Sequence, residues 1–533
     1  MIKKLLLSTM LILTLVIPTI AFTGCGGNDR LKISCTMFEA NLIGKDAMWE
    51  YLEEKFNVDF QFISVTEDNF EEKNQTFVAT NNMPDLMWLD LDESNFSTYA
   101  NWANQGALSA MPSKTELQEN YPNLYAQYNL PINVGDELMT ISGTQYAHPC
   151  IRDNANNDFL SGMGWMYRRD WAKELNLYQQ NDIYTWEQWV ALCEAFMEED
   201  PGNNGFKNIG MGTASYYFPM AFGVYQTSTE YGFGTYALDN SEYVWSASQP
   251  ETLQGLQIAK DLYDKNLIWK DNHLGSSPDS YYTSGLMGMI FQNFTLGRYN
   301  SFLNTVKTTM PNANAEDVCA LAKVVGPDGT YWAKQSQCYY GAVVMSANIN
   351  PQVKETWLSI LDWLVSDEGS LFIQYGIPDK DYEIDQYGNA ICLWPTSPTD
   401  PSVKVDPYPS GARLFYECYV GAVDTEVAPS VIYPQNVIET INNQYSFMKE
   451  KAYIRKFDYE SSYLSAPQKN TLATLQMLTE EKMMQLIVTG TKENLANDWN
   501  AWINSKSASV ALVLNELNTT ITNKPVESPK KLA

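Results

Sequence analysis

The sequence predicts an α/β protein of two or more domains, built on a parallel sheet covered by helices. Three observations carry that prediction: a strand–helix–strand rhythm near the N-terminus, capped amphipathic helices further on, and a length of 533 residues. The usual domain takes roughly 100–200 residues. The rhythm begins with Leu31 to Met37, which reads as a strand. Met48, Leu52 and Phe56 then share one helix face, and Val58, Phe60 and Phe62 alternate with Asp59 and Gln61 as a second strand. A further helical stretch leads to Met83-Pro84-Asp85-Leu86-Met87-Trp88-Leu89, a turn feeding another short strand. Downstream, Thr185 and Gln188 form a capping box ahead of Trp186, Trp189, Val190, Cys193 and Phe196. Ser248 and Glu251 suggest a second box, with Pro250 in the first turn. Val353, Trp357, Ile360, Leu361 and Leu364 mark one more amphipathic helix, and Pro327-Asp328-Gly329 a turn between strands.

The first residues read as an address. Lys3 and Lys4 precede an apolar run from Leu5 to Ile20, which Pro18 interrupts and which is too short to span a membrane comfortably. Phe22-Thr23-Gly24-Cys25 and the polar residues after it resemble the lipobox of bacterial lipoproteins. That resemblance implies a signal peptide over 1–24, a lipid on Cys25 and a polar tether over 25–30. An ordinary signal peptide also ends in small residues, but the cysteine at the cut and the polar run favour lipidation.

Composition excludes several classes. A formal charge of −28 argues against nucleic acid, which needs a basic surface. It also disfavours an anionic lipid surface, so the acyl chain is the membrane anchor. Apart from Cys25 the cysteines are Cys35, Cys150, Cys193, Cys319, Cys338, Cys392 and Cys418, an odd number at wide spacing without a C-x-x-C pair. They read as buried small hydrophobes rather than as a metal site. Histidine occurs only at His148 and His273, which leaves a Ser-His-Asp triad and His-based metal catalysis without support. No phosphate-cradling G-x-x-x-x-G-K-[ST] loop is present. Paired carboxylates remain open as an enzyme chemistry, though no local motif singles a pair out.

Asp200-Pro201-Gly202-Asn203-Asn204-Gly205 partly matches the start of a calcium loop, with Asp200 and Asn204 at ligand positions. Gly202 and Met211 stand where further ligands belong, so a tight turn is the better reading and no metal is assigned. The 13% aromatic content offers flat faces for sugar rings, although most aromatics build cores. Clusters beside polar groups at strand ends are the candidate ligand contacts. They are Trp88 with Asp90; Trp165, Tyr167 and Arg168; Tyr216 and Tyr217; Gln292 and Phe294; Tyr339 and Tyr340; and Trp394.

A set of ordered segments carries a family resemblance. Tyr167-Arg168-Arg169-Asp170-Trp171, Leu175-Asn176-Leu177 and Thr185-Trp186-Glu187-Gln188-Trp189 come first, then Glu199 to Gly205. Leu262 to Ile268, Gly285 to Met289, Gly326 to Gly329, Leu361 to Leu364, Tyr375-Gly376 and Ile487-Val488-Thr489-Gly490 follow. Together they resemble the extracellular solute-binding proteins of family 1, receptors of ABC importers, and most of all the LipO-like lipoprotein branch. The resemblance implies a periplasmic-binding-protein type 2 fold, two α/β lobes hinged about an interlobe cleft. It places the first lobe at 31–148 and 339–400 and the second at 149–338 and 401–533, the last stretch mainly helical. It also implies a monomer without cofactor or catalytic residues, anchored outside the cell membrane, that hands a small solute to the permease's transmembrane subunits. The expected solute is an oligosaccharide. The alternatives are a secreted carbohydrate-active enzyme with paired carboxylates and a solute sensor without transport.

Overall fold

The structure, a computed structural model, describes residues 30–40, 44–66, 69–91, 96–129, 139–151, 160–205, 208–213, 233–234, 242–271, 278–336, 338–398, 400–408, 415–416, 418–421, 429–455 and 464–520. The lipobox with Cys25, His273, Tyr216 and Tyr217 lie outside these residues, as does the side chain of Tyr340.

The first lobe opens with the expected rhythm. It runs β1 (Leu31–Phe38), α1 (Ala47–Phe56), β2 (Val58–Val65), α2 (Phe70–Ala79), β3 (Leu86–Leu89), α3 (Phe96–Asn104), β4 (Leu108–Ser109) and β5 (Ala147–Ile151). Asp46 starts α1 by accepting from the amides of Met48 and Trp49 at 3.0 and 3.1 Å, and Asn57 ends it at a positive φ of 51°. That phase buries Met48, Trp49 and Leu52 completely against the sheet. The second lobe follows with β6 (Met163–Tyr167), α4 (Arg169–Glu174), β7 (Ile183–Tyr184), α5 (Trp186–Glu199), β8 (Gly212–Thr213), α6 (Pro250–Asp264), α7 (Asp279–Thr283), β9 (Met289–Asn293), α8 (Leu296–Thr309) and β10 (Ala320–Val324). The Thr185–Gln188 box caps α5 in both directions. At α6 the expected box is replaced: Ser248 Oγ donates to the Trp245 carbonyl at 2.6 Å, and Gln249 becomes the cap residue ahead of Pro250. Serine so close to a preceding carbonyl closes its own short turn instead of reaching forward.

The chain then returns through β11 (Trp332–Lys334) and β12 (Tyr339–Ser346) to the first lobe, where α9 (Pro351–Leu364), α10 (Asp367–Tyr375) and the hairpin β13 (Tyr382–Ile384) and β14 (Ala390–Cys392) follow. It ends in the second lobe with α11 (Gln435–Lys451), β15 (Tyr453–Arg455), α12 (Ala466–Thr489) and α13 (Lys492–Thr520). No helix among the described residues is long and apolar enough to cross a membrane.

Both sheets are mixed, not purely parallel. The first has the order β2-β1-β3-β12-β4 with β5 also on β12, the second β8-β9-β6-β10-β7. β12 is antiparallel to β3, β4 and β5, and β6 is antiparallel to β9 and β10. The cause is topological. Each of these strands enters its lobe from the other lobe, so it starts at the hinge edge where its neighbours end. The crossovers pair there: Ile151 lies opposite Tyr339, Leu160 bridges Gln335, and the Ser161 amide donates to the Lys334 carbonyl at 2.7 Å.

A third crossing lies later than position 401. Phe415, Tyr416, Tyr419 and Val420 pack with Trp49 and Trp357 in the first lobe's core, and Gly421 bridges Ile151. Gly421 has a φ of 97°, and a Cβ there would meet the Ile151 nitrogen at 2.6 Å, so only glycine lets the two backbones touch. Val437, Ile441 and Met448 of α11 then lie in a second-lobe cluster with Ile290 and Phe302. The described residues 401–408, 415–416 and 418–421 therefore belong with the first lobe, because their aromatics complete that lobe's core.

His148 belongs to this hinge packing. Its Nε2–H donates to the Val420 carbonyl at 3.0 Å, so Nδ1 accepts from the Tyr128 hydroxyl at 2.8 Å. Burial holds it neutral and lowers its pKa from 6.5 to about 4. The unfolded chain therefore takes up a proton that the folded chain refuses between those values, and stability rises with pH across that window. About 3 kcal/mol present at pH 7 is lost as the pH falls from 6.5 towards 4, at ~1.4 kcal/mol per pKa unit. Urea denaturation at pH 7 and pH 4.5 should show a smaller loss for His148→Gln than for the parent chain.

Candidate functional site

Open α/β sheets bind ligands beyond the carboxyl ends of their strands, and β1, β2 and β3 all end at the hinge edge of the first lobe. A pocket of about 410 Å³, its open mouth included, sits there beyond β3. Phe70, Glu71 and Asn74 line it from the first turns of α2, Asp90 from the residue after β3, and Tyr99 and Trp102 from α3. Behind Phe70 stands an aromatic trio. Phe38, at the end of β1, meets Phe70 and Trp88 edge-on at centroid distances of 5.5 and 5.2 Å, and Phe70 lies 5.5 Å from Trp88. Offset and edge contacts of this kind hold a ring in one orientation. Asn74 is buried and ties α2 to the sheet by donating Nδ2 to the Trp88 carbonyl at 3.0 Å. Tyr99 donates to the Met139 carbonyl at 2.5 Å, which fixes the α3 wall. The pocket thus combines rigid aromatic surface with carboxylate and amide oxygens.

At the hinge edge of the second lobe, Gln292 near the end of β9 donates Nε2 to Asp279 Oδ1 at 2.7 Å. Arg298 pairs with the same carboxylate from the first turn of α8. Asn293 Oδ1 accepts from the Thr295 amide at 3.0 Å, and Phe294 is buried edge-on to Tyr445.

The structure sorts the expected contact residues. Asp90 lines the pocket, Trp88 backs its aromatic wall, and Gln292 stands at the second lobe's hinge edge. Tyr339 lies opposite Ile151 at the crossover, buried to 3% exposure. Others are packing residues. Trp165 and Tyr167 sit inside the second lobe's core against Trp189, because a central strand with helices on both sides has no free face. Arg168 follows the far end of β6, opposite the hinge edge, where it pairs with Asp170 and covers the Trp171 ring at 4.2 Å. β6 runs away from the hinge, which carries Arg168 out of reach. Trp394 donates its indole N–H to the Tyr375 carbonyl at 2.6 Å within a small cluster beside the β13–β14 hairpin.

The calcium-like loop is closed by its own turn. Asp200 accepts from the amides of Asn204 and Gly205 at 2.8 and 2.6 Å, and Asn204 turns its Nδ2 towards Asn208 and the Gly285 carbonyl. Among the described residues, no group of three His, Cys, Asp or Glu side chains converges as a metal site. Six of the seven described cysteines are buried and Cys392 is half-buried; burial pushes the Cys193 and Cys319 thiols up to about 12.

Phe70, Glu71, Asn74 and Trp102 were not anticipated. One signal was available: Phe70, Asn74, Phe77 and Val78 share a helix face, and an asparagine on such a face marks a buried polar contact.

No family model matches the chain, and no curated protein matches it in sequence. Solved structures do match its fold. The alginate-binding protein AlgQ2, in a structure without calcium ion, gives a TM-score of 0.66 at 14% identity over 92% of this chain and 98% of that one. The S. pneumoniae ABC-transporter substrate-binding protein FusA, in complex with kestose, gives 0.64 at 16% identity over 92% and 99%. An HMO-binding, ABC-transporter-associated solute-binding protein from Bifidobacterium longum infantis gives 0.63 at 15% identity over 92% and 98%. The chain has the two-lobed α/β fold of these proteins.

Proposed function

We propose that this chain is an extracellular solute-binding protein of family 1, the capture subunit of an ABC importer, with an oligosaccharide as its solute. The observation that carries the reading is the pocket beyond β3, with Phe70 and Trp102 beside Glu71, Asn74 and Asp90 at the hinge edge. The similarity to an alginate-binding protein, to FusA in complex with kestose and to an HMO-binding protein supports a carbohydrate. Aromatic faces cover the C–H side of a sugar ring while carboxylate and amide oxygens accept from its hydroxyls. Closure of the lobes about the three crossings buries the sugar and presents a surface to the permease. The chain binds without turnover and works as a monomer. Lipid on Cys25 holds it at the outer face of the membrane.

A thermal-shift screen of the mature chain tests this reading. A glycan bound only by the folded state raises stability by about 2.7 kcal/mol at one hundred times its Kd. At least one oligosaccharide should raise the melting temperature; a shift with peptides and with no sugar would refute the carbohydrate assignment.

A further inference from the structure

The pocket beyond β3 mixes neutral polar side chains, Gln75, Thr98 and Trp102, with charged ones of a single sign. Glu71 and Asp90 carry the formal charges of its lining, and both are negative. Asn74, 3% exposed, commits its Nδ2 to the Trp88 carbonyl, which fixes the amide's orientation and leaves Oδ1 buried without a donor. Tyr99, the other buried polar side chain there, gives its hydroxyl proton to Met139. An ionised carboxylate accepts hydrogen bonds and donates none. A ligand group that brings O–H or N–H can donate to both carboxylates, whereas one that brings a carboxylate meets two like charges, with only the neutral donors of Gln75, Thr98 and Trp102 to set against them. Arg298, a cation at the second lobe's hinge edge, is already paired with Asp279.

Building on the reading that this chain captures glycans, we propose that the pocket is selective by charge. It takes a sugar unit that presents hydroxyl or amino donors and carries no negative charge, and it rejects uronic acids. Glu71 and Asp90 exclude the anion and accept from the donors of a neutral or amino sugar.

The test is calorimetric titration of the full mature chain, in chelator, with three length-matched glycan pools: neutral, uronic-acid and de-N-acetylated amino sugar. The neutral pool should bind about 100-fold more tightly than the uronic pool or better, and the amino pool should weaken with salt where the neutral pool does not. The double variant Glu71→Gln, Asp90→Asn, checked for an unchanged melt, should narrow the neutral-to-uronic gap to roughly tenfold or less. Uronic glycans binding as tightly as neutral ones would overturn charge selection and leave glycan capture standing. An unchanged gap in the double variant would overturn its assignment to this pocket. No binding by any pool would overturn both the selection and the capture reading.

Discussion

Asp182→Ala is expected to destabilise the second lobe by about 3 kcal/mol, a large share of the 5–15 kcal/mol that holds a typical domain. Asp182 is 8% exposed and stands at the centre of a charged network. It accepts from Tyr167 at 2.6 Å and from Arg169 through Nε and Nη2 at 2.7 and 2.8 Å, a two-pronged pairing. Arg169 continues to Asp317 at 3.3 Å, and Lys173 joins the same carboxylate at 2.9 Å. Removing Asp182 leaves a buried phenol without its acceptor and takes the two-pronged partner from a half-enclosed guanidinium that keeps only Asp317, and that orphaning exceeds the net worth of the pair itself. Asp182→Asn keeps the shape and tolerates the local φ of 60°, so it should lose less. Urea denaturation followed by tryptophan fluorescence measures both, since Trp189 packs on Tyr167 and Trp165 packs on Trp189.

Phe70→Ala should weaken oligosaccharide binding roughly 30-fold or more, the loss of about 2 kcal/mol typical of an aromatic anchor. Phe70 supplies both a wall of the pocket and the contact that steadies Phe38 and Trp88. Because its ring is only half-buried, the variant should fold, and the loss should appear in affinity far more than in the melt. Phe70→Tyr, which retains the aromatic face, should recover most of the binding.

The helices were the legible part of this fold. Thr185 and Gln188, Pro250, and the Val353-to-Leu364 stripe each report a helix through its own local chemistry, and each helix is there. Strand direction was not legible: β6 and β12 run backwards because of where the chain enters each lobe, and nothing in Met163–Tyr167 or Tyr339–Ser346 encodes that. The same gap misplaced Arg168. An aromatic beside a charge reads alike whether the pair meets a ligand or, as with Arg168, Asp170 and Trp171, packs on itself. Trp165 and Tyr167 were ambiguous for a related reason, since a strand covered on both faces is apolar throughout and shows no outward side. Asp90 was singled out as a polar group beside Trp88 at a strand end, and it lines the pocket beyond β3. Asn74 was missed because its meaning depends on a helix packing over β3, a contact between residues distant in the chain.

Capture without turnover at the pocket beyond β3 is the central claim, and one titration tests it most directly. The parent chain and Phe70→Ala are titrated calorimetrically with the oligosaccharide found in the melt screen, and the sugar is then recovered and chromatographed. The account predicts one binding event per parent chain, intact sugar afterwards, and a roughly 30-fold weaker response in the variant. Shortened sugar, or equal affinity in the two proteins, would contradict it.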